Sequence, residues 1–237
     1  MRSILIMGMF VATFANAAWH GYEEVRDLEI DAAGIDELVI EAGSGSLEVA
    51  GVAGLDEIAV TATIQVPIRD DDKAREIIES DLVLTLGRDG ERAILNGYFD
   101  SSSFSFGDNP AVRLEVRVPE RIGLDVDDSS GSIVVRDITG DIEIVDSSGS
   151  ITMDRVGGQV RIDDGSGSIS VEEVGESIEI IDGSGSIRVS EVGGSVVVDD
   201  GSGSINVRDV EKDLIIESDG SGSVNFSDIR GEVRDDS

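Results

Sequence analysis

The sequence predicts an all-β protein: a right-handed parallel β-helix, or β-solenoid, with about 18 residues per coil. Three observations carry that reading. The phrase "SGS" followed by Ile or Val recurs, placing Ile133, Ile151, Ile169, Ile187, Ile205 and Val224 at spacings of 18, 18, 18, 18 and 19. Apolar residues return at fixed offsets of 0, +2, +5, +9 and +11 from each of them, as in Ile169, Val171, Val174, Ile178 and Ile180. Pairs two residues apart put side chains on one face of a strand, and no helical spacing of three and four competes with them. Finally, aromatics are 4% of the chain and cysteine is absent, so the core must be built from Val, Ile and Leu, which favour strands.

The start of the chain, "MRSILIMGMFVATFANAAWHG", has Arg2, an apolar run from Ile4 to Phe14 and then Ala15-Asn16-Ala17. This is the three-part layout of a secretory signal peptide, with cleavage expected near Ala17 and an extracytoplasmic destination, in the periplasm or at the cell surface. The run is too short to span a bilayer. Losing residues 1–17 removes one charge, Arg2, and takes the formal net charge from −32 to −33. Such a charge disfavours nucleic acid, which demands a basic face, and disfavours an anionic membrane surface.

The expected organisation is one solenoid domain over 18–237, with irregular coils at 18–60, longer strands forming an insert or cap at 61–118, and regular repeats at 119–237. "GSGSLEVAGV" places Leu47, Val49 and Val52 at offsets 0, +2 and +5, while Leu38 and Ile40 stand where +9 and +11 of a preceding coil would fall. Residues 28–52 therefore look like about one and a half coils. Longer strands are expected at 58–66, 82–86 and 112–118, a short helix at 69–80 with acidic residues in its first turn, and a loop at 100–110.

From 119 each repeat holds two short strands and two turns. One turn lies at "EVG(G)", where Gly140, Gly158, Gly175, Gly193, Gly194 and Gly231 are expected to supply positive φ; the other lies at "D(G/S)SGS". One unit cannot bury its apolar face alone, whereas stacked copies make continuous Val and Ile columns. An antiparallel meander would not need five identical core offsets at constant length. The left-handed hexapeptide helix wants an apolar residue every six, and in the calcium-binding nonapeptide roll the Asp follows the glycines instead of preceding them.

At "LEVRVPERIGLDVDDSSGSIVV", residues 114–135, a strand ending in Val-Pro leads through a short spacer to Leu-x-Val and glycine-punctuated strand repeats. This grammar resembles a bacterial extracytoplasmic family of β-strand-repeat proteins, a domain of unknown function labelled "putative adhesin". The resemblance covers roughly 25–233. It implies a β-solenoid at a cell surface or in the periplasm, and carries over no catalytic residues.

The most regular polar feature is the Asp five residues before position zero: Asp128, Asp146, Asp164, Asp182, Asp200 and Asp219. Stacked one strand spacing apart, neighbouring carboxylates repel by about 0.9 kcal/mol even in water. Each Asp suits an Asx-turn, accepting from following amides. The same column is the candidate metal site, where Ca²⁺ would draw on carboxylate, hydroxyl and carbonyl oxygens. One residue earlier, Asp127, Asp163 and Asp199 alternate with Val145 and Ile181, so acidic doublets fall on every second coil. Paired Ser columns, such as Ser166 and Ser168, fit local hydrogen bonding at the corner.

Catalysis needs distinct residues in distinct roles, and here one pair recurs unchanged, with His20 near the expected mature terminus and Lys73 and Lys212 the only lysines. No catalytic or cofactor-binding residue is expected. The function expected is a non-enzymatic, adhesin-like surface-association or scaffolding role, with a cell-surface or polysaccharide partner or self-association. The alternatives are a Ca²⁺-stabilised rod and a carbohydrate-active β-helix enzyme.

Overall fold

β-Branched residues at alternate positions favour extended backbone and put one face of each strand into a common core. The computed structural model describes residues 21–100 and 109–236, which hold eighteen strands and one helix. The expected signal peptide, His20 and most of the 100–110 loop lie outside the described residues.

The regular stack starts with β7 (Gly123–Ile138) and alternates five- and eight-residue strands: β8 (Ile142–Asp146), β9 (Gly149–Val156), β10 (Val160–Asp164), β11 (Gly167–Val174), β12 (Ile178–Asp182), β13 (Gly185–Val192), β14 (Val196–Asp200), β15 (Gly203–Val210), β16 (Leu214–Ser218) and β17 (Gly222–Ile229), then β18 (Val233–Asp235). Each pairs in parallel with the strand one coil away, in register: Ile133, Ile151, Ile169, Ile187, Ile205 and Val224 follow one another along one ladder. This is the parallel β-solenoid the period predicts. The inward residues Ile187, Val189, Val192, Val196 and Val198 are at most 1% exposed. At the C-terminal end no strand among the described residues stacks above β17, and Phe226 is half exposed.

The glycines at the "EVG(G)" corner have a different purpose from the one expected. Positive φ there belongs to Asp137, Arg155, Glu173, Glu191, Asp209 and Asp228, at φ of 56–60°, and none of the six glycines named above has it. Each of these residues is skipped by the ladder: Ser190 pairs with Arg208 and Val192 with Val210, leaving Glu191 and Asp209 unpaired at the same corner of both coils. The glycines that follow are needed for close stacking. A Cβ on Gly175 would sit 2.5 Å from the Gly157 carbonyl oxygen, and one on Gly193 would sit 2.4 Å from that of Gly175.

The N-terminal coil is β2 (Glu37–Val52), which lies in register on β7 across a long excursion: Leu38 pairs with Leu124 and Leu47 with Ile133. On its other edge β2 meets β5 (Arg92–Phe99) with its first half and β6 (Ala111–Pro119) with its second. Beyond that rung the sheet turns antiparallel. β4 (Leu82–Asp89) pairs with β5, β3 (Glu57–Val66) with β6, and β1 (Tyr22–Asp31) with β3. Leu28 and Ile30 thus belong to an antiparallel strand, and the coil starts at Glu37 instead of reaching back to residue 28. Helix α1 (Asp71–Asp81) has Asp70 as its N-cap, accepting from the Lys73 amide at 3.3 Å, and Asp71 and Asp72 in its first turn. Its Ala74 and Ile78 pack with Tyr22, Ile64 and Val66.

Candidate functional site

The five-residue strands bury alternate positions, so in "VRIDD" the residues Val160, Ile162 and Asp164 point inward while Arg161 and Asp163 point out. Parity alone therefore carries the last Asp of each strand into the core side of its corner. Asp128, Asp146, Asp164, Asp182 and Asp200 are each 3% exposed or less, and they pair in register along successive coils. Ala42 ends the column on the N-terminal side, opposite Asp128. At the other end the extra residue of the 19-residue spacing produces a register shift after Val198, and Asp219 is only half-buried.

Four of the five buried Asp residues hold their own turns. Oδ1 of Asp146, Asp164, Asp182 and Asp200 accepts the amide two residues on, from Ser148, Ser166, Ser184 and Ser202, at 3.0–3.1 Å. The amide that follows Asp146, Asp164 and Asp182 bonds instead to the coil before, as Gly165 does to the Asp146 carbonyl at 2.8 Å. The Asx-turn is therefore the geometry at Asp146, Asp164, Asp182 and Asp200.

The second oxygen is different. Oδ2 of Asp146, Asp164, Asp182 and Asp200 is buried without a hydrogen-bond partner. Burial raises all five carboxyls above the ordinary 3.8, neighbouring carboxylates add to it at Asp128, Asp164, Asp182 and Asp200, and the turn amides partly oppose it; Asp128 reaches about 7 and Asp182 about 6. Among the described residues, no group of three or more His, Cys, Asp or Glu is arranged to hold a metal ion.

The doublets do not form acid/base pairs. Asp163 faces solvent and Asp164 faces the core, so the two carboxyls of a doublet lie on opposite faces of one strand. Asp127 and Asp199 likewise point outward, in a column shared with Val145 and Ile181. Of the Ser columns, the outer one brings Ser168 Oγ to 3.4 Å from Ser186 Oγ. On the outward face of the short strands Arg161 bridges Glu143 and Glu179 across three coils, and Arg92 bridges Glu37 and Asp125. Such exposed pairs contribute little to stability.

One polar cluster escapes sequence reasoning. Glu24 is 7% exposed on β1, with Arg26 Nε donating to it at 2.6 Å and the Tyr22 hydroxyl at 3.2 Å. Arg75 of α1 lies 5.5 Å from the centroid of the Tyr22 ring and donates to its hydroxyl at 3.4 Å. The signal available was the charge at the inward parity of Tyr22, Glu24, Arg26 and Leu28, and its meaning depends on α1 being there. The cluster ties α1 to β1.

No family model matches the chain, and no curated protein does either. Solved structures do. A "putative adhesin" from Bacteroides fragilis aligns at 11% identity over 89% of this chain and 96% of its own, with a TM-score of 0.49. A "putative cell adhesion protein" from Clostridium sporogenes aligns at 14% identity over 91% and 98%, with a TM-score of 0.35. A "putative lipid binding protein" from Parabacteroides distasonis aligns at 13% identity over 90% and 94%, with a TM-score of 0.44. Two of these three proteins carry an adhesin or cell-adhesion name, as the family that the repeat grammar resembles does. What those proteins bind remains a property of theirs.

Proposed function

We propose that this protein is a non-enzymatic, extracytoplasmic acidic rod that associates with a surface or scaffold through many weak contacts. The observation that carries the reading is the register-locked stack itself. Its outward columns repeat at one strand spacing, and they include Glu143, Asp163 and Glu179 on the short strands. A rigid repetitive face gains by multivalency: several weak contacts act as one when the spacing on the partner matches. A cell-surface polysaccharide, itself repetitive, is the partner class of choice. The inward turn of Asp128, Asp146, Asp164, Asp182 and Asp200 supports a structural role for the column and leaves the doublets without paired chemistry.

The test uses beads coated with the chain lacking residues 1–17, applied to a panel of cell-wall and capsular polysaccharides. Retention is expected for beads and not for the free protein, and the triple variant Glu143→Gln/Asp163→Asn/Glu179→Gln should weaken it. Depolymerisation of any polysaccharide that is lost in Asp163→Asn or Asp164→Asn would replace this reading with the enzymatic one. Absence of retention on every surface would remove it.

A further inference from the structure

The column from Asp128 to Asp200 places five carboxyls one rung apart, about 4.8 Å, on the core side of one corner. In Asp146, Asp164, Asp182 and Asp200 one oxygen is committed to its own turn. The other is sealed from solvent with nothing to accept from. An ionised oxygen in that position loses its hydration and gains no donor, and it faces a like group one coil above and one below.

The charged groups acting on the column from the elements packed around it are acidic as well. Asp127 lies beside Asp128, Asp163 beside Asp164 and Asp199 beside Asp200, while Asp219 lies above Asp200; within the column Asp146 raises Asp128 and Asp164, and Asp164 and Asp200 raise Asp182. Below Asp128 stands Ala42. Among the described residues no Arg, Lys or His acts on any of the five. A calcium ion needs six to eight oxygens around it, and no three carboxylates converge. A proton needs only two. Placed on Oδ2, it removes the charge of a desolvated oxygen that has no donor, and gives a neighbouring carboxyl one to accept from.

We propose that the Asp column is a proton ladder: near neutral pH its carboxyls share protons along the coils, and the solenoid tightens in acid and loosens as those protons leave. The direction of the linkage follows from the raised carboxyls. Between about pH 4 and pH 7 the folded chain holds more protons than the unfolded one, which titrates near 3.8. The column's contribution is therefore fully present below pH 3.8 and is lost as pH rises through about 6 to 7, the values of Asp182 and Asp128.

The test compares the chain lacking residues 1–17 with its Asp164→Asn/Asp182→Asn variant. Asn keeps the turn-accepting oxygen and offers an N–H where Oδ2 lacks a partner. Thermal unfolding followed by circular dichroism should show the wild type melting on the order of 10 °C lower at pH 8 than at pH 5. The variant should melt higher than the wild type at pH 8 and lose a large part of that difference. Infrared spectra of the wild type at pH 6 should show a protonated-carboxyl C=O band, which needs no variant to fold. Three results would overturn the proposal: no such band at pH 6, an unchanged pH dependence in a folded variant, or Ca²⁺ at pH 8 raising the wild-type melting temperature while EDTA reverses it.

Discussion

Gly185 offers the sharpest test of how the coils are locked together. It opens β13 with φ of +153°, and a Cβ there would lie 1.6 Å from the Gly167 carbonyl oxygen, far inside the ~3.5 Å of an ordinary non-bonded contact. Gly185→Ala must therefore leave a backbone region open only to glycine and push two coils apart. The bonds at stake are Gly185 N–H to the Ser202 carbonyl and Gly167 N–H to the Ser184 carbonyl, both 2.9 Å. Strain of about 1–3 kcal/mol and two bonds of about 0.5–1.5 kcal/mol each put the cost at about 2–6 kcal/mol. Gly87→Ala is the internal control, because no heavy atom lies within 4 Å of a Cβ there and its φ is not positive. It should cost less than about 1 kcal/mol. Urea unfolding followed by circular dichroism reads both. In a stack held by nearest-neighbour contacts, Gly185→Ala should also split the transition as the C-terminal coils separate from the rest. A Gly185→Ala midpoint within about 1 kcal/mol of wild type would refute the argument, as would equal damage from Gly87→Ala.

Two further outcomes follow from burial and backbone. Ile187→Ala, at a site 0% exposed between Ile169 and Ile205, should cost about 2–5 kcal/mol, while Phe226→Ala, at 50% exposure on the open end, should cost less than about half of that in the same urea titration. At the left-handed corner, where Glu191 has φ of 59°, Glu191→Asn should stabilise by about 0.5–1 kcal/mol and the β-branched Glu191→Val should destabilise by more than about 1 kcal/mol, because Asn tolerates that region and Val does not. Equal melting temperatures for those two variants would show that the corner carries no conformational cost.

The coil period, the inward residues and the turn at each Asp were legible because each is a local property. Alternation fixes which face Ile169 and Val171 share, and a constant length of 18 leaves neighbouring coils one register in which all five apolar columns align. The helix expected at 69–80 from the acidic residues of its first turn is found at Asp71–Asp81, with Asp71 and Asp72 in that turn. The candidate Asp column was legible as a column and as a set of turn caps; Asp146, Asp164, Asp182 and Asp200 are both, while Asp219 lies past a register shift.

Other features had no local signal. Where positive φ falls at the bend, on Glu173 and not on Gly175, depends on how one coil must pass over the next. That β2 lies on β7, and that β1, β3 and β4 turn antiparallel at the end of the stack, is decided by which distant edge each strand finds. The sealed Oδ2 atoms are likewise made by neighbours: one Asx-turn in isolation is solvated, and the coils stacked above and below it remove the water. Spacing and parity by themselves determined the solenoid and its Asp column; tertiary stacking decided the environment of each carboxyl, because solvation is a property of what surrounds a group and not of its place in the chain.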